Sequence, residues 1–335
     1  MRIQSNFLSV GLNMKKYFLC LAIVLAYSGV SVAQDKPSGY PVRPIRLIVA
    51  ASPGAGGDII ARVVAQMLIE AWGQNAVVDN RSGASGAIGV ELVAKSAPDG
   101  YTMLSLGESL LLLGVQKRLP FDVLKAFDPV VATTAQPYVL LVHPSMPFKS
   151  IKEMVTYSAT QRLAYSGSTG IGSTVHLGME RLAQLSGAKL LFVPYKGTAP
   201  GIIALMGGEI NMVGASTISA SAALRTGKVR ALAALSLERI PAMPDLPTVA
   251  EQGFPGFKIT NRYGLHAPAG TPRAILAAVN RVVADGMRSP QMRLRLEADG
   301  SQPAERMTPE QLKATMVREY AELESQSKLL NLKIE

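Results

Sequence analysis

From residue 45 onward, short unbroken apolar runs alternate with stretches in which apolar residues recur every three or four positions. Residues 45–50, 77–78, 101–106 and 138–142 read as strands, and 58–71 and 88–97 as helices. The strands are continuous rather than alternating, which predicts a largely parallel sheet covered on both faces. A second series follows the same rule, with strands at 163–165, 190–193, 210–213 and 229–235 and helices at 150–159, 174–185, 199–206 and 219–225. A connection marked by Pro241, Pro244 and Pro247 leads to a strand at 263–267 and two or three helices. Thr271-Pro272, Ser289-Pro290 and Thr308-Pro309 each place a capping hydroxyl before a proline suited to the first helical position. Thr308 and Gln311 also have the spacing of a capping box.

The chain thus divides into two similar α/β halves with C-terminal helices left over, and no short-period repeat is present. The strands at 138–142 and 229–235 are natural crossovers. On that reading residues 141–235 form one lobe, inserted within another made of 34–140 plus 236–335.

The N-terminus bears on compartment. Lys15 and Lys16 precede an apolar run over 17–30 that ends in Ser31-Val32-Ala33, the pattern of a secretory signal (residues 1–33) cut after Ala33. A buried N-terminal helix is the competing reading, and the flanks fit export better. The single cysteine, Cys20, falls inside that segment, so the mature chain has neither disulfide nor thiolate chemistry, which suits a bacterial periplasm. With 48% hydrophobic residues the chain has material for a core, yet no apolar run reaches the roughly 18 residues of a membrane span, which rules out an integral membrane protein. Removing the signal leaves 31 basic against 24 acidic residues, a formal charge of +7. Arg43, Lys117 and Arg225 show how scattered the excess is, which argues against nucleic acid. A solvated basic surface explains it, and a modest field drawing in anionic solutes is the functional alternative.

Each half carries the same device. A strand runs into Ser52, Pro53, Gly54, Ala55, Gly56, Gly57 and Asp58 before a helix; another runs into Ser166, Gly167, Ser168, Thr169, Gly170, Ile171, Gly172, Ser173 and Thr174 before a second helix. Such turns can aim unpaired backbone N–H groups and a helix dipole at an anion. They can also be no more than tight connections. Neither matches a phosphate-binding motif, but both belong at the carboxyl ends of parallel strands, where open α/β sheets bind ligands. Catalytic chemistry is poorly represented. His143, His176 and His266 have no metal-ligand spacing, and no nucleophile elbow exists. His176, in the first turn of the second helix, is the one histidine placed to touch a ligand, and Asp58 reads as a helix cap. No cofactor or metal is expected.

Several segments resemble a known family. They include Tyr40-Pro41-Val42-Arg43-Pro44-Ile45 leading into Pro53-Gly54-Ala55-Gly56-Gly57-Asp58, then Asp79-Asn80-Arg81-Ser82-Gly83, Ala97-Pro98-Asp99-Gly100-Tyr101, Val193-Pro194-Tyr195-Lys196-Gly197, Leu246-Pro247-Thr248 and Ala267-Pro268-Ala269-Gly270-Thr271-Pro272. Together they are similar to the Bug-type extracytoplasmic solute receptors, the binding component of tripartite tricarboxylate transporters, over essentially the whole mature chain. The resemblance implies an α/β periplasmic binding protein of type II-like architecture, with two Rossmann-like lobes closing over a small carboxylate in a central cleft. The solute would be a di- or tricarboxylate, an amino acid or an aromatic acid. It also implies a non-enzymatic, monomeric receptor whose partners are membrane transporter subunits, with a sensor protein as the alternative partner. By motif position the ligand contacts fall on Ser52 to Asp58 and Ser166 to Thr174, with Tyr195 and Ser216 nearby. Glu108 stands where the family usually has a small hydroxyl residue, and would face an ammonium group if it enters the pocket.

Overall fold

The computed structural model describes residues 37–167 and 170–330; the proposed signal, Ser168 and Thr169 lie outside the described residues. Strands β1 (Ile45–Val49), β2 (Ala76–Asn80) and β3 (Thr102–Leu106) pair in parallel, joined through helices α1 (Gly56–Trp72) and α2 (Ala87–Ala94). Two short helices, α3 (Ser109–Val115) and α4 (Val123–Ala126), lead into β4 (Phe127–Val142). Helix α5 (Ile151–Ser158) then opens a second parallel set, β5 (Leu163–Gly167), β6 (Leu190–Phe192) and β7 (Met212–Ser216), connected by α6 (Thr174–Ser186) and α7 (Thr198–Met206). Helix α8 (Thr217–Arg225), β8 (Arg230–Ala234), β9 (Thr260–Pro268), α9 (Arg273–Met287), α10 (Pro290–Ala298), β10 (Gln302–Pro303) and α11 (Pro309–Leu330) complete the described chain.

The strand order is β2-β1-β3-β9-β4-β7-β5-β6, with β8 and β10 also on β4. The sheet is therefore mixed, not wholly parallel. Strand β9 runs antiparallel to both β3 and β4, and β4 runs antiparallel to β7 and β8. At 16 residues, β4 extends for roughly 50 Å. Its first part pairs with β9 and its last five residues with β7 and β8, so one strand belongs to both halves of the sheet. Pro137 is the last β9 partner and Tyr138 the first β7 partner, so a residue without an N–H sits where the ladder changes hands. The sequence reading found only 138–142 of this strand, because Pro129 and Pro137 break the pattern and Thr133, Thr134 and Gln136 are polar yet buried.

Both faces of each half are covered, which is why the strands read as unbroken apolar runs. In β1, Leu47 joins a layer with Val64, Leu68 and Val283, while Ile48 joins Val90, Leu110 and Met316 on the other face. In β4, Tyr138, Leu140 and Val142 pack with Val175, Met179 and Phe257, whereas Val139 and Leu141 pack with Leu205 and Val213. Of the three hydroxyl-proline helix starts, two cap as expected. Ser289 accepts from Met292 N–H at 3.3 Å, and Thr308 and Gln311 form a reciprocal capping box at 2.9 and 3.2 Å. The third does not: Thr271 turns its hydroxyl to Pro268 O at 2.7 Å, and Pro272 is itself the residue before the helix.

Candidate functional site

The first glycine-rich turn is fixed from within. Its helix begins after Ala55, which offers no capping side chain. Asp58, two residues inside the helix and so not its N-cap, reaches back to accept from Gly54 N–H at 2.9 Å, from Asn80 Nδ2 at 3.0 Å and from Arg62 at 3.0 and 3.1 Å. Burial alone would push this carboxyl up; the bonds from Arg62, Gly54 and Asn80 outweigh it and hold the group below the ordinary aspartate value. Asp58 is therefore spent on holding the turn and lines no described cavity. Gly56 and Gly57, both buried, open the helix against strands of other elements. A Cβ at Gly56 would lie 2.7 Å from Ser216 Oγ and 2.9 Å from Gln136 Oε1, and one at Gly57 would lie 3.0 Å from the Tyr263 ring.

The second turn is likewise braced. Ser173 caps α6 by accepting from His176 N–H at 3.4 Å. The His176 ring accepts from Gly172 N–H through Nδ1 at 2.8 Å, stacks on Phe192 with centroids 4.1 Å apart, and lies 3.9 Å from Glu180. Burial lowers its pKa against the opposing pull of Glu180, so the ring is a neutral acceptor. This corrects the expectation that His176 and the Gly172 amide meet a ligand, since each satisfies the other. The Tyr195 hydroxyl bonds Glu209 at 3.3 Å, and Tyr195 borders neither cavity described below. Gly167 is demanded by packing, because a Cβ there would sit 2.4 Å from Gly214 O.

Each turn meets the opposite half of the sheet, the first at residues 197–199 and the second at Ser85, Gln116 and Arg118. Ser52 Oγ lies against Gly197, where a Cβ would approach to 2.3 Å, and Gly54 meets Ala199. Ser85 Oγ and Arg118 both donate to Ile171 O at 2.7 Å, and Gln116 Nε2 donates to Gly172 O at 2.6 Å. Beside the first turn lies a niche of about 20 Å³, bordered by Ala55 and Gly57, by Ser105, Gly107 and Ser109 at and after the end of β3, by Thr198 at the start of α7, and by Asn261 and Tyr263 of β9; no residue of the second turn borders it. No charged side chain borders it. Ser52 Oγ and Gln136 Oε1, both buried, have no hydrogen-bond partner.

A second, open cavity of about 680 Å³ lies on the other side of Asn261. Its walls include Glu108 and Leu112, Thr174, Leu177, Gly178 and Arg181 of α6, and Arg262 and Glu319, which pair with one another. Asn261 borders both spaces; its Oδ1 accepts from Glu108 N–H at 3.1 Å and packs on Gly107, where a Cβ would lie 2.2 Å away. Glu108 faces the larger space, not the niche. Its carboxyl is pushed up to about 7, chiefly by burial and then by Glu319, with Arg262 and Lys258 pulling it back. Thr174 Oγ1 also borders the larger cavity without a partner. Among the described residues no group of three potential ligands could hold a metal ion.

Sequence reasoning missed Ser105, Ser109, Thr198, Gln136, Asn261 and Tyr263. The first three sit at further strand-to-helix junctions, so the topological rule that found the two turns could have found them. Gln136, Asn261 and Tyr263 lie on strands that pass between the halves and carry no local signal.

Residues 60–325 match the family model described as the tripartite tricarboxylate transporter family receptor. Protein BugT of Bordetella pertussis is 33% identical over 313 residues, spanning 92% of this chain and 95% of BugT. Among solved structures, Rpa4515 of R. palustris with adipate superposes with a TM-score of 0.83 at 31% identity, over 87% of this chain and 98% of that one. The periplasmic binding protein BugD gives a TM-score of 0.82 at 29% identity, over 88% and 99%. The fold is that of these α/β periplasmic binding proteins.

Proposed function

The chain belongs to the tripartite tricarboxylate transporter receptor family, and from that premise we propose how it captures a carboxylate solute. The lobes formed by 34–140 plus 236–335 and by 141–235 close on the acid, and the loaded receptor delivers it to the membrane subunits of a transporter. Export by a signal cleaved after Ala33 belongs to the same reading. The carboxylate docks at the start of α1, against Gly56 and Gly57, with Ser52, Ser105, Thr198, Ser216 and Tyr263 as hydroxyl partners and Ser166 behind them in the second half.

One observation carries this reading. Helix starts and hydroxyls from both halves of the sheet, among them Gly57, Ser109, Thr198 and Tyr263, converge on a niche without a charged side chain, and the buried Ser52 oxygen of the adjoining turn has no partner. Charge-assisted hydrogen bonds contribute roughly 1.5–3 kcal/mol each, so four or five, less ordering and desolvation costs, reach the roughly 8 kcal/mol of micromolar affinity. At about 20 Å³ the niche holds one water-sized group, so an acid enters only as the lobes part and then contacts both.

The test is a thermal-shift and calorimetry screen of adipate, malate, citrate, glutamate and benzoate. Adipate leads because the similar Rpa4515 structure holds it. At a hundredfold excess over Kd, binding adds about 2.7 kcal/mol, a shift of roughly 5 °C for a chain of this size. No shift for any acid at millimolar concentration refutes the proposal, as does consumption of an acid followed by mass spectrometry.

A further inference from the structure

Outside both cavities, one cluster joins the halves through side chains that face no solute space. Ser85 lies in the short 3-10 turn before α2, and Gln116 and Arg118 lie just after α3; their acceptors, Ile171 O and Gly172 O, are consecutive carbonyls of the second glycine-rich turn. The bonds run at 2.6–2.7 Å, and Arg118 also donates to Ser85 Oγ at 3.0 Å, so that the serine hydroxyl is aimed at Ile171 O. Ser85, Gln116 and Arg118 border none of the described cavities.

The backbone is bent to present them. Among the described residues, the non-glycine positions with positive φ are Ala84, Ser85 and Lys117, at 45°, 58° and 52°. All three lie in these two short segments, and Lys117 stands between the two long donors. A left-handed conformation is unfavourable for residues with a Cβ and persists where the surroundings over-determine it. The opposing turn is shaped to match. Gly172 has φ of +75°, and a Cβ there would lie 2.4 Å from Gln116 Oε1; one on Gly170 would lie 3.4 Å from Ser85 Oγ. The glycines of the second turn are thus shaped for this contact.

We propose that Ser85, Gln116 and Arg118 are a solute-independent latch, positioning residues that hold the second turn against the first half by its backbone carbonyls and populate the closed receptor before any acid binds. The latch touches backbone on one side and no solute on either. It strengthens capture of every solute by the same factor and leaves the ranking among solutes unchanged, because affinity scales with the population already competent to bind.

Double electron–electron resonance without solute tests this directly. In a Cys20→Ser background, nitroxides are placed at Val77→Cys and Leu191→Cys, exposed positions on the outer strands of the two halves. The parent is expected to show a short-distance closed population, and Gln116→Ala with Arg118→Ala to lower the closed-to-open ratio at least tenfold. Ser85→Ala, a milder change, moves it in the same direction, and thermal unfolding confirms that each variant is folded. An unchanged ratio in the double variant overturns the latch, as does a parent that is wholly open. With no solute present, the result is independent of which acid the receptor carries.

Discussion

Replacing Glu108 by glutamine removes an ionisable group whose carboxyl pKa the fold raises well above the ordinary range, and the consequence depends on pH. A glutamate in an unfolded chain titrates near 4.5, whereas here the carboxyl is pushed up to about 7, first by burial beside Leu112 and the cavity wall and then by Glu319. Between those values the folded state keeps a proton that the unfolded chain has released, so stability falls as pH rises and stays low above 7. Below 4.5 both states are protonated and the difference vanishes. A separation of about 2.5 pH units corresponds to about 3 kcal/mol at most, and water at the partly exposed carboxyl screens some of it. Glutamine keeps the shape and carries no charge. Glu108→Gln should therefore be more stable than the parent at pH 8, by up to about 3 kcal/mol, and equal to it near pH 4. Urea unfolding at the two pH values measures both gaps. Equal gaps at both, or a less stable variant at pH 8, would falsify the raised carboxyl pKa of Glu108.

Gly56→Val forces a side chain to 2.7 and 2.9 Å from Ser216 Oγ and Gln136 Oε1, so the urea midpoint without solute should fall, and the folded variant should bind adipate or the best-binding acid at least tenfold more weakly by calorimetry. Unchanged affinity removes Gly56 from the site. Asp58→Ala strips acceptors from Gly54 N–H and Asn80 and should cost about 2–3 kcal/mol at neutral pH. Because this carboxyl is held below its ordinary value, its contribution is present above that value and disappears as pH falls through the folded one, so the gap to the parent should close in acid. Thr308→Ala breaks the capping box of α11 and should lower stability by about 1 kcal/mol, read by the same unfolding curve.

Much of the architecture was legible locally. The alternation of apolar runs with helical spacing located β1 to β3 and β5 to β8, and the hydroxyl before Pro290 and before Pro309 located two helix starts, because strand burial and capping act within a few residues. The two glycine-rich turns were also legible, since strand, turn and helix are contiguous in the chain. What those turns do was not. His176 and Asp58 read as ligand candidates because polar residues at a helix start are ambiguous until their partners are seen, and here both are bound within their own turns.

The order of residues along the chain determined the α/β class, the family and the presence of two similar strand–turn–helix devices, since periodicity, capping and motif all act over short separations. Tertiary structure alone decided that β4 serves both halves, that Asn261 and Tyr263 enter the niche from a strand more than 150 residues beyond Gly107 and Ser52, and that Ser85, Gln116 and Arg118 grip Ile171 and Gly172. These contacts join residues far apart in the chain, and they follow from how the packed sheet halves fit together rather than from any local preference.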